Sequence, residues 1–103
     1  MKPILVIICT LLSAAVMAAP AQGSPPKDIQ RFIDNADLCE HMAGEFDSDQ
    51  SKQRQREIEQ AVVKYCGAAQ RQLRVLKRKY KNNAGVQKII EEHAYGSVTD
   101  YVK

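Results

Sequence analysis

Apolar residues follow two different patterns along this chain. From Ile4 to Leu12 they form a nearly continuous run, broken only by Thr10. From Ile29 onward they recur at three- and four-residue steps, which is the spacing of one face of an α-helix. Ile29, Phe32, Ile33, Ala36, Cys39 and Ala43 predict a first helix that starts near Pro26 or Lys27 and stops at Gly44. Residues 45–49 read as a turn. A second helix starts near Ser48 or Asp49, either of which suits an N-cap, and carries Ile58, Ala61, Val62 and Tyr65, with Cys66 at the edge of its stripe. Ala69, Leu73, Leu76 and Tyr80 mark a third helix over about 68–81. Gly67 is expected to break or kink the path between the second and third, and a single bent helix over 50–81 is the competing reading. Asn82-Asn83 signals a turn. Val86, Ile89 and Ile90 predict a fourth helix over 84–94, ended by Gly96. Residues 96–103 are expected to be coil. No segment alternates over a strand length. The expected fold class is all-α, a small domain of three to four helices with a helical hairpin.

The first apolar run changes the organisation of the chain. Residues 1–18 have a positive start at Lys2, an apolar stretch, and small residues ending Val16-Met17-Ala18, which together read as a secretory signal peptide cut after Ala18. Ile4 to Ala19 falls short of the ~20 residues that span a bilayer. A lipid anchor at Cys9 is rejected, because bulky Ile8 precedes it and the apolar run continues past it. The expected division is 1–18 signal peptide, 19–27 flexible tether (APAQGSPPK), 28–95 helical domain and 96–103 tail. The expected location is periplasmic or secreted.

Composition then bears on residues 19–103. They number 85, with 14 Lys+Arg, 12 Asp+Glu and a net charge of +2. Leu, Ile, Val and Phe make up only 16 of them, a thin core that calls for a covalent staple. Two cysteines remain, Cys39 and Cys66, and an even count in an exported chain reads as a disulfide. Counted outward from the turn, the two cysteines do not lie opposite each other in a straight antiparallel hairpin. Either the first helix ends early, near Cys39, or residues 40–52 form a longer, looser loop, and the loose loop is favoured.

The net charge conceals a split. Residues 28–49 carry seven acidic groups and one basic, Arg31, whereas residues 52–81 carry ten basic groups and two acidic, Glu57 and Glu59. One reading is mutual neutralisation between packed helices; surface pairs of this kind contribute little each. The other is a docking surface: on a helical wheel Arg71, Arg74, Arg78 and Lys81 lie on one side and the Leu73–Leu76–Tyr80 seam on another. The partners such a surface fits in an exported location are lipid head groups, anionic glycans or an acidic protein. Nucleic acid is not expected there.

Catalytic chemistry has little support. His41 and Glu45 share a helix face, but a zinc site needs at least three ligands and no spacing draws His93 to them. Asp47-x-Asp49-x-Ser51 starts like a calcium loop, yet has Lys52 where Gly is needed and Ile58 where a bidentate Glu is needed. No nucleophile or phosphate-loop motif occurs. No catalytic residue, metal or cofactor is expected.

Cys39-Glu40-His41 with Gly44-Glu45, then Cys66, then Leu76-Lys77-Arg78-Lys79-Tyr80 and Asn83, resembles a group of small exported proteobacterial proteins of unknown function. The resemblance spans about residues 36–90. It implies a leader, two cysteines and a helical body, carries over no catalytic or binding residue, and makes the segment with Glu40, His41 and Glu45 the candidate for a shared structural or binding element. The expected function is non-enzymatic binding, with a periplasmic inhibitor or immunity-type protein as the alternative.

Overall fold

The structure is a computed structural model that describes residues 24–103; the expected signal peptide and most of the tether lie outside them. The described chain is all-α: α1 (Lys27–Glu45), α2 (Lys52–Lys79), α3 (Ala84–Glu92) and α4 (Gly96–Thr99).

α1 and the second half of α2 form the core. Ile29, Phe32, Ala36 and Cys39 bury one side of α1, and Cys66, Ala69, Leu73 and Leu76 bury one side of α2. The steps are 3-4-3 in both helices, read in opposite directions along an antiparallel pair. Cys39 and Cys66 are joined by a disulfide with their Cα atoms 4.7 Å apart. The next pair, Ala36 and Ala69, is small enough to let the backbones approach at that point. Further along the seam the Asn35 side-chain amide donates to Gln72 Oε1 at 3.1 Å. At its far end Lys79 reaches Asp28. The residue numbers of each linked pair add to nearly the same value, as a single antiparallel register requires.

Neither a loose loop nor an early end to α1 is needed to bring the cysteines together. α1 runs on through Gly44 to Glu45. At 1.5 Å per residue Cys39 lies about 9 Å from the end of α1 and Cys66 about 21 Å from the start of α2. Residues 46–51 climb the remaining ~12 Å, within the reach of an extended chain. The first turns of α2 therefore stand beyond the end of α1, which is why Lys52, Gln53, Arg54, Arg56 and Glu57 are exposed. The connecting segment is tied down in detail. Asp47 accepts from the Asp49 N–H, Gln50 donates to the last carbonyl of α1 at Glu45, and Gln55 donates to the Ser48 and Gln50 carbonyls. Ser51, rather than Ser48 or Asp49, caps α2 by accepting from the Arg54 N–H.

Gly67 does not break the path. α2 passes through it as one 28-residue helix, so the second and third expected helices are a single element. The cost of a helical glycine is about 1 kcal/mol. Packing on both sides of Gly67, at Cys66 and Ala69, outweighs it. A Cβ at Gly67 would stand 3.4 Å from Arg71 Nη1 and 3.7 Å from Tyr101 Cε2, both side-chain atoms at ordinary contact distance.

The C-terminal segment is also part of the fold. α3 is capped by Asn83, which accepts from the Val86 N–H, and buries Val86 and Ile90. Gly96 opens α4 instead of ending α3, and α4 packs against both α1 and α2. Val98 is fully buried. The Gln70 amide of α2 donates to the carbonyls of Val98 at 3.1 Å and Tyr101 at 2.8 Å. The expected coil fails here because this tie comes from a residue 28 positions away, outside any local pattern.

Two stability outcomes follow. The Cys39→Ala/Cys66→Ala variant is expected to lose about 3.5 kcal/mol in urea unfolding, by the entropy of the loop the disulfide closes. Gly67→Ala is expected to gain about 0.5–1 kcal/mol, because helix propensity rises and nothing rigid resists the new methyl. A loss with Gly67→Ala would show that α2 needs a break at this position.

Candidate functional site: the outer face of α2

Every third or fourth residue after Gly67 on the side of α2 away from the seam is basic. Arg71, Arg74 and Arg78 continue the helix and Lys81 follows it, all four exposed. Among the described residues no carboxylate lies within ion-pair distance of any of them.

Lys79 behaves differently. It is one position from Arg78 but lies on the α1 side, where its Nζ is 2.6 Å from Asp28 Oδ2. The Tyr80 hydroxyl donates to the same carboxylate at 3.0 Å. The Lys79 hydrogen bond, more than that of Tyr80, holds the Asp28 carboxyl below its ordinary 3.8. Asp28 in turn raises Lys79 above its ordinary 10.5. Burial, then the bond to Asp28, raises Tyr80. The tie contributes above the ordinary carboxylate pKa and is lost as the pH falls through the folded value. Neutralisation between the acidic and basic segments is thus direct at one place, the Asp28–Lys79 end of the seam. The Arg71–Lys81 row takes no part in it.

The acidic element is not assembled into a site. Glu40 accepts from the Ser97 hydroxyl at 3.2 Å and so ties α1 to α4. The side chains of His41 and Glu45 are exposed and have no hydrogen-bond or ion-pair partner among the described residues. No group of three potential metal ligands occurs among the described residues.

The histidine that is built into the structure is His93. Its Nδ1 lies 2.9 Å from Asp37 Oδ1 of α1, and the Tyr95 hydroxyl donates to the same oxygen at 2.7 Å. The two rings meet edge to face. The hydrogen bond to Asp37, followed by burial, pushes the Tyr95 phenol up to about 12. This cluster closes the link between α3 and α4 onto α1. Asp37 and Tyr95 are 58 positions apart, and no spacing in the sequence announces them.

A shallow apolar groove of about 600 Å³ opens where α1 ends and α2 overhangs it. Ala43, Phe46, Ile58, Val62, Val63 and Val102 supply most of its lining. Three of these are poorly covered: Phe46 is 46% exposed, Val63 53% and Val102 86%. No helix among the described residues is long and apolar enough to cross a membrane. The chain matches no protein-family model, no curated protein and no solved structure.

The Tyr95–Asp37 tie needs a neutral phenol, so its contribution is complete below the ordinary tyrosine value of 10.0 and is lost as the pH rises through about 12. In an alkaline titration read by tyrosinate absorbance, a late step near pH 12 is expected. Tyr95→Phe should remove it and Asp37→Asn should move it earlier. A late step that survives Tyr95→Phe would contradict the assignment.

Proposed function

We propose that this protein is a small exported, non-enzymatic binding protein that holds an anionic component of the cell envelope on the outer face of α2. The observation that carries this reading is the contrast within one helix. Lys79 is consumed by Asp28, whereas Arg71, Arg74, Arg78 and Lys81 are exposed and unpaired among the described residues. A row of like charges on one helix face raises the cost of the bare surface and is relieved by an anion. The apolar leader of residues 1–18 and the Cys39–Cys66 disulfide both suit an oxidising, exported location.

Immobilised dextran sulfate tests it. The mature chain is expected to be retained at low salt and released as salt rises, since exposed charges are screened over about 8–10 Å at physiological ionic strength. Arg74→Glu/Arg78→Glu should weaken retention at least tenfold, with helix content by circular dichroism unchanged. Equal retention of that variant, or no retention of the native chain at low salt, would refute the reading. Capture of one stoichiometric periplasmic protein in place of the polyanion would move the assignment to the inhibitor or immunity-type alternative.

A further inference from the structure

The arginine row does not end in empty surface. Val63, Gly67, Arg71, Arg74 and Arg78 follow one another at steps of 4-4-3-4, so they lie along one side of α2. Val63 lines the apolar groove. Gly67 itself is buried: a Cβ there would stand 3.4 Å from Arg71 Nη1 and 3.7 Å from Cε2 of Tyr101, a ring that also lines the groove, so the two side chains lie over it from the row and from the groove. The groove and the row are therefore one continuous strip. It is apolar over Phe46, Val63 and Val102, with the charged side chains of Glu59 and Lys103 also lining the groove, and cationic from Arg71 onward.

We infer that the anionic component is the surface of a phospholipid bilayer; this rests on the α2 row being the binding face, as proposed above. The row sits on the lipid phosphates, and Phe46, Val63 and Val102 enter the boundary between head groups and acyl chains. Charge complementarity selects an anionic surface for the row. The adjoining rim distinguishes a bilayer from a soluble polyanion or a glycan. A soluble polyanion would engage Arg71, Arg74 and Arg78 and leave three exposed apolar side chains in water. A bilayer surface accepts both halves of the strip, because interfacial binding grows with buried apolar area and with attraction to anionic lipid. From Val63 to Arg78 the strip runs about 22 Å along one continuous helix, long enough to lie along a planar surface.

Co-sedimentation with vesicles tests this. The probes are vesicles of phosphatidylcholine alone, vesicles of phosphatidylcholine and phosphatidylglycerol in equal parts, and dextran sulfate in solution. The variants are Arg74→Glu/Arg78→Glu and Val63→Gln/Val102→Gln. The latter pair replaces exposed side chains without changing charge, and so leaves the fold intact. The native chain is expected to bind the mixed vesicles and not phosphatidylcholine alone. Val63→Gln/Val102→Gln should lower vesicle affinity about tenfold and leave dextran sulfate binding unchanged. Arg74→Glu/Arg78→Glu should lose both. If dextran sulfate binds but vesicles do not, or if the Gln variant binds vesicles as tightly as the native chain, the bilayer assignment is overturned while the basic-face reading stands. If neither probe binds at low salt, both fall together.

Discussion

The bond between Cys39 and Cys66 closes one end of a seam that apolar burial alone would hold weakly. To that seam α1 contributes Ile29, Phe32 and Ala36, and α2 contributes Ala69, Leu73 and Leu76. With so few large apolar residues, the conformational entropy of the chain is offset only narrowly. The disulfide removes part of that entropy from the unfolded chain and at the same time fixes which turn of α1 faces which turn of α2. From that register come the overhang of α2, the groove under it and the direction in which the basic row points.

Glutamine does much of the remaining work. Four side-chain amides donate to backbone carbonyls at helix ends and in the connecting segments. Gln50 reaches the end of α1, Gln55 the turn before α2, Gln87 the last turn of α2 at Lys77, and Gln70 the C-terminal segment at Val98 and Tyr101. Helix ends leave such carbonyls orphaned. A neutral amide satisfies them without adding charge to a chain whose charges are already segregated. The domain is thereby closed by covalent and polar ties where a larger protein would use core volume.

Some of this is legible in the sequence and some is not, for physical reasons. Helical spacing points to all-α structure, and the two cysteines beyond the N-terminal apolar run point to the Cys39–Cys66 pair. The register is also present, in the 3-4-3 steps of residues 29–39 and their mirror over 66–76, but counting outward from the turn hides it. A turn need not lie midway between the groups it connects. Gly67 reads as a break because helix propensity is local, whereas the burial of Cys66 and Ala69 on either side is not. α4 is too short to show any period, and its anchor, Gln70, is remote in sequence. The helical wheel groups Arg71, Arg74 and Arg78 along one side of α2, whereas Lys81, read as part of the same helix, follows its end. The wheel does not show that Lys79, which falls outside that row, is taken up by Asp28, 51 positions away. Glu40, His41 and Glu45 draw the eye as a motif, while the interactions that close the fold nearby run through Asp37, His93 and Tyr95.

The charge split of the sequence thus resolves into two parts. Asp28 and Lys79 consume one pair at the end of the seam, and Asp37 takes the hydroxyl of Tyr95. What is left over on the basic side is a row along one continuous helix, and its alignment depends on α2 being one element through Gly67. Amide hydrogen exchange across residues 62–76 of the oxidised protein tests that dependence most directly. The expected result is one continuously protected block, with Gly67 and Ala68 exchanging as slowly as the turns on either side. Rapid exchange confined to residues 66–69 would mean two helices hinged at Gly67, and the common register, the groove and the row would have no shared frame.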